Sequence, residues 1–315
     1  MRKALCITLC CVLCLAAAGT VFAQQKKAGE TVAVPHTRGT VQVPRSPSRV
    51  VVMDFGMLDT LDSLEAMGAL RQNVTLAVPK ANLPSYLSKY KGDKYGDVGG
   101  LKDFNLESIY AFKPELIIIS GRQQDFYEEL SSIAPVWQMN SLPREYLPGV
   151  MQNIREMGKI FAAEEAVEKA LTDIETAMRN VRDAVSEKHL KTLVLLTNDG
   201  KISAYGSGSR FGVIYDALGF EQADPGIKVG IHGQLVNYEY LAEKNPDYIF
   251  VVDRSVAVTG KADGVRILNN ALVNGTNAAR GGHIVSLDPN VWYLSGGGLQ
   301  SLRMMVEEIR LSVEK

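Results

Sequence analysis

Outside its first 23 residues the chain has no cysteine; Cys6, Cys10, Cys11 and Cys14 all lie within them. That segment reads as a secretory signal, with Arg2-Lys3, an apolar run from Ala4 to Ala18, and Val21-Phe22-Ala23 before a cleavage point. A mature chain beginning near Gln24 then has no disulfide, no thiol nucleophile and no Cys-based metal site. None of the four cysteines follows the small residues of a lipoprotein signal, although Cys14 behind Val12-Leu13 leaves a lipid anchor as the alternative to a soluble exported protein. No later apolar run approaches the roughly 20 residues that span a bilayer.

An excess of either charge is also missing. The chain has 34 basic and 35 acidic residues, and removing Arg2 and Lys3 leaves 32 against 35, a net charge of −3. A nucleic-acid or anionic-membrane binder would show a basic excess or stripe, so any anion site must be a local cluster of arginines. Histidine is scarce: His36, His189, His232 and His283 are the only four, and the His-rich loop of a free-metal binder is absent. Ser207, Ser209 and His232 are nucleophile and base types, but no Gly-x-Ser-x-Gly elbow follows a strand. A binding protein without chemistry of its own is expected, rather than an exported hydrolase.

What is present is a duplication. Asn105-Leu-Glu-Ser-Ile-Tyr-Ala-Phe-Lys-Pro-Glu-Leu-Ile-Ile-Ile-Ser-Gly-Arg122 matches Asn237-Tyr-Glu-Tyr-Leu-Ala-Glu-Lys-Asn-Pro-Asp-Tyr-Ile-Phe-Val-Val-Asp-Arg254 without a shift of register. Each copy reads as an Asn-capped helix with Glu in its first turn, a Pro-acid turn, and an apolar run typical of a buried parallel strand. Each ends on an arginine. The residue beyond the carboxyl end of such a strand faces the ligand crevice, so two copies offer Arg122 and Arg254 to one cleft between two similar lobes.

The rest of the pattern agrees with two α/β halves of about 292 residues in all, enough for two domains each with its own core. Thr31 to Val34 and Thr40 to Val43 alternate like a hairpin, and Arg49 to Asp54 is a buried strand leading into a helix that Gly68 stops. Residues 72 to 104 are loops around short elements, and Phe126 to Ile133 is helical. A helical segment ends at Phe161, and Glu164 to Ser186 then runs 23 residues without Gly or Pro, with apolar residues at helical spacing. Such a helix would span roughly 34 Å and can bridge two lobes. Lys191 to Thr197 opens the second half as a strand, Ser203 to Arg210 is a Gly/Ser-rich loop, and Phe211 to Leu218 is a helix. Ile284 to Leu287 is the last strand, Asp288 to Gly298 a cleft-side loop, and Leu299 to Val313 a closing helix. The expected division is 24–160, a bridging helix over 161–188, and 189–315.

Together with Trp292-Tyr-Leu-Ser-Gly-Gly-Gly298 and Gly230-Ile-His-Gly233, these features resemble the periplasmic ferric-siderophore binding proteins of ABC importers, the class III substrate-binding family, and within it the catecholate binders. The resemblance covers essentially the whole mature chain. It implies two Rossmann-like α/β lobes joined by a single long α-helix, with the ligand in the inter-lobe cleft, and delivery of the ferric siderophore to an inner-membrane permease by a monomeric periplasmic protein. Haem and cobalamin binders share the fold and are the alternative. Where that group often has Lys three residues after the first-lobe Arg, this chain has Asp125.

The resemblance also implies roles for single residues. His232, between two glycines and before the second repeat, and Tyr293 are matched to iron ligands; a phenolate is the hard oxygen donor that ferric iron prefers. Two such ligands cannot hold bare iron, but they complete six-coordination if the siderophore is a tetradentate bis-catecholate. No intrinsic cofactor is implied, since the iron arrives with its siderophore. Arg122, Arg210 and Arg254 would grip the catecholate oxygens through planar guanidinium forks, beside Trp292. Glu107 and Glu239 would dock on permease arginines from first helical turns away from the strand-end cleft. His36, His189 and His283 are expected to be ordinary polar side chains.

Overall fold

The computed structural model describes residues 30–139, 145–260 and 264–314; residues 1–23, expected to be a secretory signal, lie outside them. Thr31–His36 (β1) and Gly39–Pro44 (β2) form the expected hairpin. Arg49–Val52 (β3), Thr75–Val78 (β4), Gly96–Asp97 (β5), Leu116–Ile119 (β6) and Val136–Gln138 (β7) make a parallel sheet in the order β5-β4-β3-β6-β7. Phe55–Ala66 (α1) follows β3, Leu106–Phe112 (α2) precedes β6, and Tyr127–Ser131 (α3) precedes β7. Tyr146–Phe161 (α4) and the long helix Glu164–Val185 (α5) then lead to the second lobe.

In that lobe Lys191–Asn198 (β8), Lys201–Tyr205 (β9), Glu221–Gln222 (β10), Gln234–Val236 (β11), Tyr248–Asp253 (β12) and Ile284–Leu287 (β13) form a mixed sheet. Its order is β11-β9-β8-β12-β13, with β10 also paired to β8. The helices are Val213–Asp216 (α6), Tyr238–Lys244 (α7), Arg254–Thr259 (α8), the single turns Gly264–Ile267 (α9), Ala271–Asn274 (α10) and Asn277–Arg280 (α11), and the closing Leu299–Val313 (α12).

Each repeated segment folds the same way for the same physical reasons. Asn105 Oδ1 accepts from the Ser108 N–H and Asn237 Oδ1 from the Tyr240 N–H, both at 2.9 Å, satisfying donors that a helix start leaves open. Lys113 and Asn245 end α2 and α7 in the left-handed region, and the following Pro114 and Pro246 cannot continue a helix. The acid after each proline then fastens its strand to the first strand of its own lobe. The Glu115 N–H donates to Arg49 O at 2.8 Å and the carboxylate accepts from the Ser48 N–H; the Asp247 N–H donates to Lys191 O at 2.7 Å and its carboxylate accepts from the Lys191 N–H.

The cores follow strand parity. Val51, Ile117 and Ile119 face an outer cluster with Ile109 of α2, while Ile249 and Val251 face its counterpart with Leu241 of α7. The alternate residues, Val50, Val52, Leu116 and Ile118 in one sheet and Phe250 and Val252 in the other, belong to one inner cluster. That cluster also takes in α5 through Val167, Leu171, Ile174 and Val181, and α12 through Leu302, Met305 and Ile309. Each lobe therefore owns only its outer-face core. The inner faces share a continuous one with α4, α5 and α12, so the expectation of two separate cores holds only in part.

Two further expectations change. Residues 203–205 of the expected Gly/Ser loop belong instead to β9 (201–205), antiparallel to β8 across Asp199-Gly200, whose φ values are +51° and +76°. Such a pair of positive φ angles is the hairpin geometry that Asp-Gly favours. The helix expected over 211–218 is the single turn α6, and the second lobe is not a plain replay of the first.

Candidate functional site

The carboxyl ends of β3, β6, β8 and β12 bring the candidate residues to one edge of each sheet. In the first lobe Arg122 lies in the turn after β6, with its Nη1 3.6 Å from Asp54 Oδ2. Asp54 also caps α1, accepting from the Gly56 and Met57 N–H groups at 2.9 and 3.2 Å.

In the second lobe the side chains converge on Tyr293, which is carried on a π-helical turn, Asn290–Leu294, a distortion frequent at functional sites. Arg254, the first residue of α8, donates through Nε to Tyr293 Oη at 2.7 Å and through Nη1 to Asn198 Oδ1 at 2.6 Å. Arg210 donates to Tyr293 O at 2.7 Å. The Tyr293 ring thus lies between two guanidiniums, with Arg210 Cζ 4.8 Å and Arg254 Cζ 5.6 Å from its centroid. Arg210 Nε is buried with no hydrogen-bond partner among the described residues. An orphaned cationic donor beside a half-buried phenol suits an anionic oxygen ligand.

Sequence reasoning did not single out Tyr146, the first residue of α4. Burial raises the pKa of its phenol, and Arg210 of the second lobe and Arg122 of the first both oppose that rise. The same hydroxyl thus senses arginines of both lobes, and the Tyr146 N–H donates across to Gly208 O at 3.4 Å. Tyr205, also unforeseen, has its pKa raised by burial and lowered by Arg210. Asp54, Asn198 and Tyr205 are ordinary polar and aromatic residues in the sequence; only the strand ends that precede Asp54 and Asn198 hinted at their place.

His232 lies on a turn that meets this cluster through Tyr205, whose phenol senses both Arg210 and Tyr293. It is exposed on the turn Gly230–Gly233, which rests on Tyr205: the Tyr205 hydroxyl donates to Ile231 O at 3.4 Å, and a Cβ on Gly233 would meet Tyr205 Cε2 at 2.6 Å. Trp292 is corrected. It is 1% exposed, its indole N–H donates to Glu308 at 2.8 Å, and it packs near Phe211, so it belongs to the core rather than to the ligand wall. Its neighbour in the turn points the other way, which is why one of the adjacent aromatics reaches the cleft and the other does not.

A family model described as periplasmic binding protein matches residues 58–291. The chain belongs to that family. Petrobactin-binding protein YclQ of Bacillus subtilis is 40% identical over 91% of this chain and 89% of its own. Its crystal structure superposes with a TM-score of 0.85 over 91% of this chain and 99% of that one. The periplasmic catecholate-siderophore binding protein VctP of Vibrio cholerae gives 0.80 at 33% identity, covering 90% of this chain and 100% of that one. Ferric-anguibactin-binding protein FatB of Vibrio anguillarum is 29% identical over 88% of this chain and 86% of its own.

As a member of this family of binding proteins, the chain has the two-lobed α/β architecture, and among the described residues no helix is long and apolar enough to cross a membrane. Ser207 and Ser209, the nucleophile types of the hydrolase reading, engage Asp216 and Gly206 O rather than a histidine. His36 is buried and accepts from the Arg38 N–H, His189 pairs with Glu221 at 2.6 Å, and His283 stacks on Tyr248. Glu107 and Glu239 are exposed in the first turns of α2 and α7. Their position is corrected: the Asn105 N–H bonds Val98 O just beyond β5, and Asn237 directly follows β11, which ends level with the carboxyl end of β8. Both acids therefore stand at the strand-end edge, on helices that cover the outer sheet faces.

Proposed function

We propose that this binding protein captures a ferric catecholate siderophore between its lobes and delivers it to the permease of an ABC importer in the periplasm. The observation that carries the reading is the grouping of Arg210 and Arg254 around Tyr293, with Arg210 and Arg122 both within the electrostatic reach of Tyr146. Three guanidiniums supply a local positive field on a chain whose net charge is not positive, which suits an anionic ferric catecholate. The catecholate and petrobactin binders among the relatives support the same ligand class. Tyr293 Oη, already an acceptor, and His232, exposed with no partner among the described residues, are the two side chains that complete the iron of a tetradentate complex. The chain acts without turnover and as a monomer.

Titration with ferric bis-catecholate, ferric tris-catecholate, haem and cobalamin, followed by tryptophan fluorescence and visible absorption, tests this reading. Saturable binding of the ferric catecholates with a broad charge-transfer band is expected; a sharp Soret response with no catecholate binding would overturn it in favour of a haem carrier.

The two exposed acids flank the cleft edge and serve as permease contacts. The Glu107→Ala/Glu239→Ala double variant is expected to bind the ferric siderophore as wild type does while iron uptake through the permease falls. Uptake at the wild-type rate would remove the docking role.

A further inference from the structure

The turn that carries Tyr293 is fastened to the opposite lobe by a buried hydrogen-bond chain. Asp59, in the middle of α1, is 0% exposed and directs its carboxylate at the amino terminus of α12. Oδ1 accepts from the Gln300 N–H at 2.6 Å and Oδ2 from the Ser301 N–H at 2.7 Å. Thr60 Oγ1, one residue on, accepts from the Leu299 N–H at 3.2 Å. Three of the donors that a helix start leaves open are therefore satisfied by side chains more than 200 residues away in sequence and in the other lobe.

The chain continues to the tyrosine turn. Tyr86 Oη lies 2.7 Å from Asp59 Oδ2 and 2.6 Å from Ser295 Oγ. Ser295 Oγ in turn donates to Asn290 O at 2.8 Å, closing the π-helical turn end to end, and Ser301 Oγ donates to Ser295 O. The backbones meet directly beside it: a Cβ on Gly298 would lie 2.4 Å from Gly56 O, and one on Gly56 would lie 2.8 Å from Gly297 C. Asp54, the Arg122 partner, caps this same α1, so one rigid helix sets both the first-lobe arginine and the seat of the second-lobe phenol.

With the Ser295 hydroxyl directed at Asn290 O, the single Tyr86 proton faces two oxygens, Asp59 Oδ2 and Ser295 Oγ. The Tyr86 hydroxyl donates to Asp59 Oδ2 or to Ser295 Oγ, so it bridges the α1 carboxylate to the residue that closes the turn. Burial pushes the Asp59 carboxyl up to about 6, against the pull of the hydrogen bonds from Tyr86, Gln300 and Ser301.

We infer that Asp59, Tyr86 and Ser295 are positioning residues for the ligand phenol: anchored on α1, they hold both ends of the Asn290–Leu294 turn so that Tyr293 presents its oxygen beside Arg254 and its ring against Arg210. The inference rests on the reading of Tyr293 as an iron ligand.

The test uses the mature full chain and two probes, the ferric complex of a linear bis-catecholate and that of a tris-catecholate. Tyr86→Phe keeps the ring and removes the central hydroxyl; Ser295→Ala removes the last link and serves should Asp59→Asn fail to fold. Each is expected to weaken the bis-catecholate complex by about ten-fold, the worth of roughly one lost hydrogen bond, and to change its charge-transfer band. The tris-catecholate complex, with no open iron position, should stay within about two-fold of wild type. In a Tyr293→Phe background Tyr86→Phe should add nothing, because residues acting through one group are not additive. Equal losses for both probes, or a full additional loss in the Tyr293→Phe background, would overturn the positioning role. If Tyr293→Phe itself fails to separate the two probes, the ligand reading falls and this inference with it; if it separates them and neither Tyr86→Phe nor Ser295→Ala does, only the positioning role falls.

Discussion

Arg210→Ala is expected to weaken ferric bis-catecholate binding by about 30-fold or more. Arg210 brings three assets to the cleft: a charged fork, a face against the Tyr293 ring 4.8 Å away, and the buried Nε with no partner among the described residues. Removing a partly buried charged donor costs on the order of 2 kcal/mol or more, which is that fold-change. Arg210→Lys keeps the charge but has neither fork nor planar face, and is expected to recover only part of the loss. Dissociation constants measured at low and high salt separate the contributions, because a screened point charge weakens with salt and a desolvated fork does so much less. Full rescue by lysine would reduce the arginine to generic charge. Arg254→Ala should behave similarly with an added effect, since it also releases the Tyr293 hydroxyl and Asn198.

The second large effect is on stability. Gly298→Ala places a methyl group 2.4 Å from Gly56 O and 2.5 Å from Asp59 Cγ, where backbone and a buried carboxyl cannot move aside without separating α12 from α1. Overpacking of this kind costs about 2 kcal/mol or more, and at this chain length a drop in Tm of roughly 4–8 °C follows. The adjacent Gly297→Ala is the control. Its methyl group would find Val150 Cγ2 at 3.5 Å and Tyr146 Oη at 3.7 Å, ordinary contacts, so thermal unfolding should be nearly unchanged. Equal Tm values for the two variants would show that α1 and α12 are not in the close contact described.

Much of this arrangement is legible in the sequence because it is local. The duplicated Asn-cap, Pro-acid and apolar-strand order fixes α2-β6 and α7-β12 within each copy, through interactions among residues that are near neighbours. The closing helix Leu299–Val313 and the strand Ile284–Leu287 have the expected bounds for the same reason, a clear apolar period between breakers. The β8-β9 hairpin also has a local signal, Asp199-Gly200 between two apolar runs, whereas the expected loop over 203–210 overlaps its second strand.

Other features depend on partners far along the chain. Asp59 sits in an apolar helical stretch and looks like a misplaced surface acid; its donors at residues 300 and 301 give no local trace. Trp292 and Tyr293 are neighbours with opposite fates, and only the position of Glu308 one helix away decides that the indole turns inward. Glu107 and Glu239 are legible as first-turn acids, but their height on the sheet edge depends on which strands the helices follow in space.

In the proposed function the protein itself supplies ligands to a ferric bis-catecholate, with Tyr293 as the oxygen donor. Resonance Raman spectra excited in the charge-transfer band of the bound complex address it directly, comparing wild type with Tyr293→Phe and the bis-catecholate with a tris-catecholate. Iron-bound tyrosinate ring modes are predicted for wild type with the bis-catecholate, and neither for Tyr293→Phe nor for the tris-catecholate. Spectra of wild type and Tyr293→Phe that show only catecholate modes and superpose, at equal affinity, would contradict the account.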